Sequence, residues 1–438
     1  MAGRSTQAMR IPRAARFKLA AATAAAAATA GLLAACQTPP SGPAPARANA
    51  YAYADAGASA CAPARLPALD ALPAHAKLPD PFRFADGRPV ATRADWACRR
   101  AELSAQVQHY ELGAKPASAP VQANMVGDDL VVTVTHAGKS ASFPARIQLP
   151  PGAANRPGPY PAIIGIGMVS LDNAELQRLG IALITFPNNT VAEQLSEASR
   201  GKGLFYDLYG KDHPASAMSA WAWGVSRLVD ALESTPASRI DARRLAVTGC
   251  SRNGKGAIVA GALDERIALT IAQESGSGGA ASWRISEVQK KAGQNVQTLR
   301  QIVHENVWFT PSFGQFAEQV ERLPFDQHEV MGLIAPRGLL AVENTSMEWL
   351  GDQSAWYDTL AAREIWKALG APQAMGVSQV GGHEHCRLPA SQYAVVDAFA
   401  RRFLLDDAAA PTMDVHDTDS GFAASPAAWI DWSTPTLR

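Results

Sequence analysis

The sequence predicts an α/β fold, a three-layer αβα sandwich in which helices cover both faces of a mainly parallel β-sheet. Three observations support this prediction. Short apolar segments of strand length alternate with longer segments of helical periodicity. Several of the short segments are continuously apolar and β-branched, as strands buried on both faces are. The chain has 438 residues, which is enough for one large core.

The first 35 residues are predicted to be a secretion signal outside this fold. Four basic residues precede an Ala-rich apolar stretch over residues 19–35, as in signal peptides: Arg10, Arg13, Arg16 and Lys18. The stretch ends in Leu-Ala-Ala-Cys at residues 33–36, which resembles a bacterial lipobox with Cys36 as the lipidated residue. An ordinary Ala-x-Ala cleavage site with an incidental cysteine is the alternative.

Residues 36–60 are rich in Pro and Ala and are predicted to be a tether. We therefore expect an exported protein, a bacterial outer-membrane lipoprotein that faces the periplasm or the cell surface. It would touch the membrane only through its lipid anchor.

The globular body is predicted over residues 61–407, with its elements in a regular order. Strands are predicted at 129–135, 142–149, 162–168, 181–186, 245–249, 267–273, 338–342 and 375–380, and helices at 216–234, 253–263, 355–369 and 393–405. The first two strands are expected to pair antiparallel. Residues 275–336 have few strand signals and are expected to form inserted helices or loops. Residues 408–438 are predicted to be a polar tail that packs along the surface.

The charge and hydropathy patterns exclude several classes of protein. Lys+Arg and Asp+Glu both total 40, so the net charge is zero and no nucleic-acid partner is expected. The body contains no run of about eighteen apolar residues, which argues against a multi-span membrane protein. Its Cys and His residues do not have the spacing of metal ligands, so neither a metal nor a cofactor is expected.

A serine stands directly between the predicted strand 245–249 and the predicted helix 253–263. The sequence Gly-Cys-Ser-Arg-Asn-Gly at 249–254 has the small residues that a sharp strand-to-helix turn needs, as in the nucleophile elbow. Its second glycine lies one position later than in the common Gly-x-Ser-x-Gly pattern. A serine that merely caps a helix is the alternative. Strand, glycines and helix together favour Ser251 as a nucleophile, and with it the α/β-hydrolase fold.

Arg252 follows this serine and offers a guanidinium that could stabilise the oxyanion of a tetrahedral intermediate. A solvated surface arginine is the alternative.

Two histidines compete for the role of general base. His383 and His385 both lie just after the last predicted parallel strand, where this fold places its catalytic histidine. Four of the five cysteines remain if Cys36 is lipidated, and export favours two disulfides. A bond between the cysteine before Ser251 and the cysteine after His385 would bring their Cα atoms within about 7 Å. This favours His385 as the base and leaves His383 as a residue of the loop.

Two glutamates compete for the role of the acid that orients the histidine. Glu274 follows the predicted strand 267–273, and Glu343 follows the predicted strand 338–342. Either carboxylate could hold the imidazole tautomer and stabilise the imidazolium. The later strand is the common position in this fold and favours Glu343, but the residues alone leave both open.

Eight segments of the body match a known family. They are Leu-Pro-Asp-Pro-Phe at 78–82, Trp-Ala-Cys-Arg-Arg-Ala-Glu-Leu at 96–103, Gly-Cys-Ser-Arg-Asn-Gly-Lys-Gly at 249–256, Gln-Glu-Ser-Gly-Ser-Gly-Gly at 273–279, Glu-Asn-Val-Trp-Phe at 305–309, Phe-Asp-Gln-His at 325–328, Ala-Pro-Arg-Gly-Leu-Leu at 335–340 and His-Cys-Arg-Leu-Pro at 385–389. Through them the chain resembles the glucuronoyl esterases, carbohydrate esterase family fifteen, over nearly the whole body.

The resemblance implies a role for each candidate residue. Ser251 would be the nucleophile, His385 the base and Arg252 the oxyanion residue. Glu274 would be the principal acid, with Glu343 acting instead of it or beside it, as in some bacterial members. Four residues match positions that bind the hydroxyls and ring of glucuronate: Lys255, Gln297, Glu305 and Trp349. A solvated helix lysine and a core tryptophan are the simpler interpretations of two of these. The implied disulfides are Cys61–Cys98 and Cys250–Cys386.

The function implied is hydrolysis of the ester between (4-O-methyl-)glucuronic acid of xylan and lignin alcohols, through a glucuronoyl-enzyme intermediate. Two alternatives stand beside it. One is an esterase for acetyl or simple methyl esters, and the other is a non-catalytic xylan-binding surface lipoprotein. We expect a monomer.

Overall fold

A ten-stranded sheet forms the centre of residues 61–438, the part of the chain that this computed structural model describes. The predicted signal peptide, the lipidation of Cys36 and the tether lie outside the described residues. The strands are β1 (Val121–Val126), β2 (Asp129–His136), β3 (Lys139–Gln148), β4 (Tyr160–Ile166), β5 (Ala182–Phe186), β6 (Ile240–Cys250), β7 (Ile267–Gln273), β8 (Gly338–Glu343), β9 (Met375–Gln379) and β10 (His416–Thr418). Their order in the sheet is β1-β2-β3-β5-β4-β6-β7-β8-β9-β10.

The sheet is antiparallel at one end and parallel through the rest. β1, β2, β3 and β5 pair antiparallel in that order, while all pairs from β5 through β4 to β10 are parallel. The central strands β4, β7, β8 and β9 are buried along almost their whole length. Strands of a parallel sheet are buried in this way because the crossover helices cover both faces of the sheet.

Eleven α-helices lie around the sheet in residues 61–438. They are α1 (Arg93–Val107), α2 (Asn173–Arg178), α3 (Asn188–Val191), α4 (Leu204–Tyr209), α5 (Ala217–Ser234), α6 (Arg252–Leu263), α7 (Trp283–Lys291), α8 (Leu299–Glu305), α9 (Gln327–Gly332), α10 (Asp352–Ala368) and α11 (Tyr393–Leu404). Helices α5, α6, α9 and α10 pack against one another in series, and α2 packs against α11, which covers β6, β7 and β8. This layering and strand order confirm the predicted mainly parallel αβα sandwich of the α/β-hydrolase type.

The C-terminal tail contains a strand that the sequence did not predict. Residues 408–438 contain β10, which extends the parallel sheet beyond β9. The end of the chain returns to α1, where the Arg93 N–H donates to the Arg438 carbonyl over 3.0 Å, and Leu437 is buried. The described residues thus form one unit without a boundary at residue 407. β10 was missed because a three-residue edge strand has too few residues to show a period.

Smaller differences concern the ends of elements. Strand β1 was not predicted, because its residues alternate only between half-buried and exposed and give a weak pattern. Strand β4 ends at Ile166 instead of Met168, because Gly167 takes a φ of 77° and turns the chain. The predicted insertion 275–336 does contain helices, namely α7, α8 and α9.

A disulfide fixes the start of the described chain. Cys61 and Cys98 form a disulfide with Cα atoms 5.3 Å apart, which ties the start of the described chain to α1.

Within residues 61–438, no helix is both long and apolar enough to cross a membrane.

Candidate active site

Ser251 occupies a strained turn between β6 and α6. Its backbone has φ 60° and ψ −130°, a conformation that a residue with a side chain rarely adopts. The turn is held because the Ser251 N–H donates to the Gln273 carbonyl over 2.9 Å and the Gly254 N–H donates to the Ser251 carbonyl over 2.8 Å. The strain persists because the surrounding strands and helix fix it, and such strain is typical of functional turns.

The two glycines beside the turn are required by close backbone contacts. A Cβ added at Gly249 would lie 2.3 Å from the Asn253 carbonyl oxygen, and one at Gly254 would lie 2.8 Å from the Gln273 carbonyl oxygen. The helix therefore packs directly against the strands, as the sequence predicts for a nucleophile elbow.

His385 bonds one of the two candidate glutamates. Its Nδ1 lies 2.7 Å from Glu274 Oε2, and the Cys386 N–H donates to Glu274 Oε1 over 3.1 Å. The Glu274 side chain is buried and its φ is 45°, which turns it away from the direction of β7. The other ring nitrogen of His385, Nε2, is buried and has no hydrogen-bond partner among the described residues. This nitrogen is thus free to receive a proton from a group in the adjacent pocket.

Glu343 is placed differently. Its Oε1 accepts hydrogen bonds from the Ser275 N–H over 3.2 Å and from Ser275 Oγ over 3.1 Å. Burial raises the pKa of Glu343 to about 8, and the neighbouring Glu274 adds to the rise, so the carboxyl group is largely protonated at neutral pH. Of the two carboxylates that the sequence left open, the structure brings Glu274 to His385.

His383 contacts its own loop and Asn344, and its Nδ1 lies 3.9 Å from Glu274 Oε1, beyond hydrogen-bond distance. Its Nε2 lies 2.9 Å from the Val380 carbonyl oxygen and its Nδ1 lies 3.1 Å from the Glu384 carbonyl oxygen. Asn344 adds contacts to the His383 ring nitrogen and carbonyl over 3.3 and 3.1 Å. A neutral imidazole has one N–H, so Nε2–H donates to the Val380 carbonyl and Nδ1 accepts from the Asn344 amide, and the ring holds the loop in this way.

The disulfide between Cys250 and Cys386 joins the two loops that hold the serine and the histidine. Its Cα atoms are 5.6 Å apart, so the residues next to Ser251 and His385 are covalently fixed to each other. These two cysteines and His385 also form a group with metal-ligating atoms within 4.8 Å of one another. Because both sulfurs are in the disulfide, that group offers a single free ligand atom, the imidazole nitrogen.

A pocket of about 520 Å³ opens over Ser251 and His385. All four residues matched to sugar binding line it: Lys255, Gln297, Glu305 and Trp349. The Trp349 ring is half-buried and lies edge-on to the His385 ring, with centroids 5.0 Å apart. Gln297 is half-buried and fixed by its N–H, which donates to the Trp349 carbonyl over 3.0 Å, whereas Glu305 is exposed at the rim.

Lys255 is buried, which contradicts the simpler interpretation of a solvated helix lysine. Its Nζ donates to the Ser275 carbonyl and lies 5.6 Å from the Trp308 ring centroid. Burial lowers the pKa of Lys255 to about 7, and Glu343 opposes the change when it is ionised. A buried group that can carry a positive charge and lines a polar pocket is typical of a binding site.

Gln194 and Trp308 position Arg252 at the pocket, and the sequence did not predict a role for either of them. Gln194 Oε1 accepts from Trp308 Nε1 over 2.8 Å and from Arg252 over 3.4 Å. The Arg252 guanidinium also lies over the Trp308 ring, 5.4 Å from its centroid. Arg252 is exposed, yet it is directed by these two neighbours toward the pocket. The Glu-Asn-Val-Trp-Phe segment could have indicated Trp308, but Gln194 lies in an irregular loop without a recognisable pattern.

The fold and this arrangement define a class of protein. A serine on a strained strand-to-helix turn, opposite an imidazole bonded to a buried carboxylate, is the arrangement that activates a hydroxyl as a nucleophile in serine hydrolases of the α/β-hydrolase fold.

Comparison with known proteins places the chain within that class. A family model described as "Glucuronyl esterase, fungi" matches residues 132–370. A 4-O-methyl-glucuronoyl methylesterase of Podospora anserina is 49% identical over 370 residues, which are 84% of this chain and 76% of that protein. The chain belongs to the glucuronoyl esterase family.

Two solved structures agree with this assignment. The glucuronoyl esterase catalytic domain of Hypocrea jecorina superposes with a TM-score of 0.80 at 46% identity, covering 85% of this chain and all of that one. A serine-to-alanine mutant of the Sporotrichum thermophile glucuronoyl esterase, in complex with methyl 4-O-methyl-β-D-glucopyranuronate, has a TM-score of 0.79 and 46% identity. It covers 84% of this chain and 97% of that chain. The family model is one of fungal proteins, so the bacterial origin expected from the sequence has no support from these comparisons.

Proposed function

We propose that the protein hydrolyses the ester between (4-O-methyl-)glucuronic acid of xylan and a lignin alcohol. The observation that carries this proposal is the placement of His385. Its Nδ1 lies 2.7 Å from Glu274, while its Nε2, without a hydrogen-bond partner among residues 61–438, lies at the pocket that Ser251 also lines. Membership of the glucuronoyl esterase family supports the choice of substrate.

The reaction begins with proton transfer. His385 Nε2 takes the proton of Ser251 Oγ, and the oxygen attacks the uronate carbonyl to form a tetrahedral intermediate. Glu274 holds the Nδ1–H tautomer and stabilises the imidazolium that forms. The imidazolium then protonates the departing alcohol, and water releases glucuronic acid from Ser251 by the same steps in reverse.

Arg252 and the N-terminus of α6 stabilise the oxyanion. Helix α6 begins directly after Ser251, so its first N–H groups and its dipole lie beside the reacting carbonyl. The Arg252 guanidinium adds a permanent charge, and Gln194 and Trp308 hold it near the pocket.

The glucuronate ring binds on the polar side of the pocket. Trp349 offers an aromatic face and edge for the sugar ring, while Lys255, Gln297 and Glu305 offer donors and acceptors for its hydroxyls. The buried Glu343 acts indirectly in this proposal. Through Ser275 it supports the loop whose carbonyl accepts the hydrogen bond of Lys255.

The test of this function is an assay of the purified protein on benzyl glucuronate beside an acetylated xylose or glucose. We expect hydrolysis of the uronate ester with kcat/KM at least about a hundredfold above that for the acetyl ester, because buried polar groups discriminate strongly when their partners are missing. Equal rates on both esters would indicate an esterase of other acyl specificity. Binding of xylan without hydrolysis of either ester would indicate a non-catalytic protein.

We further propose that the protein is exported as a lipoprotein with Cys36 as the modified residue. The basic residues before the apolar stretch and the Leu-Ala-Ala-Cys sequence at 33–36 support this. In a bacterial host, the Cys36→Ser variant should move from the membrane fraction to the soluble exported fraction, because one end of the chain loses its acyl anchor. Labelling with a radioactive fatty acid should be lost in parallel. A variant that distributes and labels like the parent would disprove lipidation at Cys36.

A further inference from the structure

Two large apolar side chains are exposed in loops that follow β4 and β5. Among the described large hydrophobic residues, Leu195 and Met168 are the most exposed, at 69% and 64%. Leu195 also lines the pocket over Ser251. Leu195 therefore offers apolar surface at the rim of a polar pocket, where a bound ligand could cover it.

The backbone holds Leu195 in this exposed position. Its N–H donates to Ser199 Oγ over 3.0 Å, and the Ser199 hydroxyl donates in turn to Glu193 Oε1 over 2.7 Å. The preceding Gln194 is buried against Trp308. The loop is therefore fixed on both sides of Leu195, whose side chain nevertheless points away from the core.

The Met168 loop is anchored next to the serine turn. The Gly167 N–H donates to the Phe186 carbonyl over 3.0 Å. A Cβ added at Gly167 would lie 2.8 Å from the side-chain nitrogen Nδ2 of Asn253, so the two residues are in close contact. After Met168, Ser170 Oγ donates to Gln273 Oε1 over 2.7 Å. Asn253 lines the pocket, and the Gln273 carbonyl holds the Ser251 N–H.

The sheet order separates these loops from the polar residues of the pocket. Strands β4 and β5 lie on one side of β6, which carries Ser251, and β7 and β8 lie on the other. Gln297 and Glu305 come from the insertion after β7, and Trp349 follows β8. An ester bound across Ser251 with its sugar among these polar residues would extend its alcohol toward β4 and β5.

We propose that Leu195 and Met168 form the subsite for the alcohol portion of the ester and select an aromatic or otherwise apolar alcohol over a small one. This inference rests on the proposed function, since it assumes that the uronate occupies the polar side. The alcohol remains attached through the first transition state, so its contacts contribute to kcat/KM. Because the subsite is an open surface, only part of each side chain is covered and each contact has a moderate effect.

The test compares methyl and benzyl glucuronate, which share the acyl group and differ only in the alcohol. We expect the ratio of kcat/KM for benzyl over methyl ester to fall about three- to tenfold in Leu195→Ser and in Met168→Ser, and further in the double variant. Leu195→Met should keep the parent ratio, because it restores apolar area. Val126→Ser is the matched control, since Val126 is 59% exposed but lies on β1 at the far edge of the sheet.

The outcomes separate this inference from the proposed function. An unchanged ratio in the double variant would overturn the subsite, and so would an equal fall for both esters, which would mean that the loop only supports Gln194 and Arg252. A parent protein that hydrolyses neither ester would overturn the proposed function, and the subsite with it.

Discussion

Ser251→Ala and His385→Ala are each expected to lower kcat on benzyl glucuronate by on the order of ten-thousandfold or more. Alanine at 251 removes the attacking oxygen. Alanine at 385 removes the base that takes the Ser251 proton and the acid that protonates the leaving alcohol. Because the two residues act as one unit, the double variant should be scarcely slower than either single variant.

His383→Ala is the matched control for this prediction. It removes an imidazole two positions away in the same loop, but one whose Nε2 lies 2.9 Å from the Val380 carbonyl and which does not line the pocket over Ser251. We expect it to lower kcat by less than about tenfold, through loosening of the loop. Circular dichroism and thermal unfolding would show that each variant is folded. An active His385→Ala beside an inactive His383→Ala would disprove the assignment of the base.

The central part of the fold could be predicted from sequence because its signals are strong and local. Buried parallel strands such as β7 and β8 are continuously apolar, and the serine turn requires glycines on both sides of Ser251. The edges could not be predicted equally well. β1 is half-solvated and β10 is three residues long, so neither shows the period on which such predictions depend.

The candidate site divides in the same way. Residues that follow a strand or a glycine turn, such as Ser251 and His385, are indicated by their place in the chain. Gln194 is not, because its role depends on a contact with Trp308, more than a hundred residues away. The choice between two glutamates also depends on side-chain direction, which no sequence pattern reports: Glu274, with a φ of 45°, reaches His385, and Glu343 bonds Ser275 instead.

The second large effect on kcat is expected from substitution of Glu274, the acid that bonds His385. Glu274→Gln should lower kcat by on the order of a hundredfold or more, because the amide cannot stabilise the imidazolium or enforce the Nδ1–H tautomer of His385. Glu343→Gln should stay within about threefold of the parent near pH 7. Burial raises the pKa of Glu343 to about 8, so the parent carboxyl is already largely neutral there and glutamine reproduces its shape and its acceptor for Ser275. The measurement is kcat on benzyl glucuronate from roughly pH 6 to pH 9.

The pH profile and the double variant can each contradict the assignment of Glu274 as the acid. A raised pKa means that Glu343 is protonated below about pH 8 and ionises above it, so any difference between Glu343→Gln and the parent should appear only on the alkaline side. If the two carboxyl groups instead share the role, both single effects will be modest and the double variant will lose far more than their product. A large effect of Glu343→Gln at neutral pH beside a silent Glu274→Gln would reassign the acid to the end of β8, despite the 2.7 Å contact between Glu274 and His385.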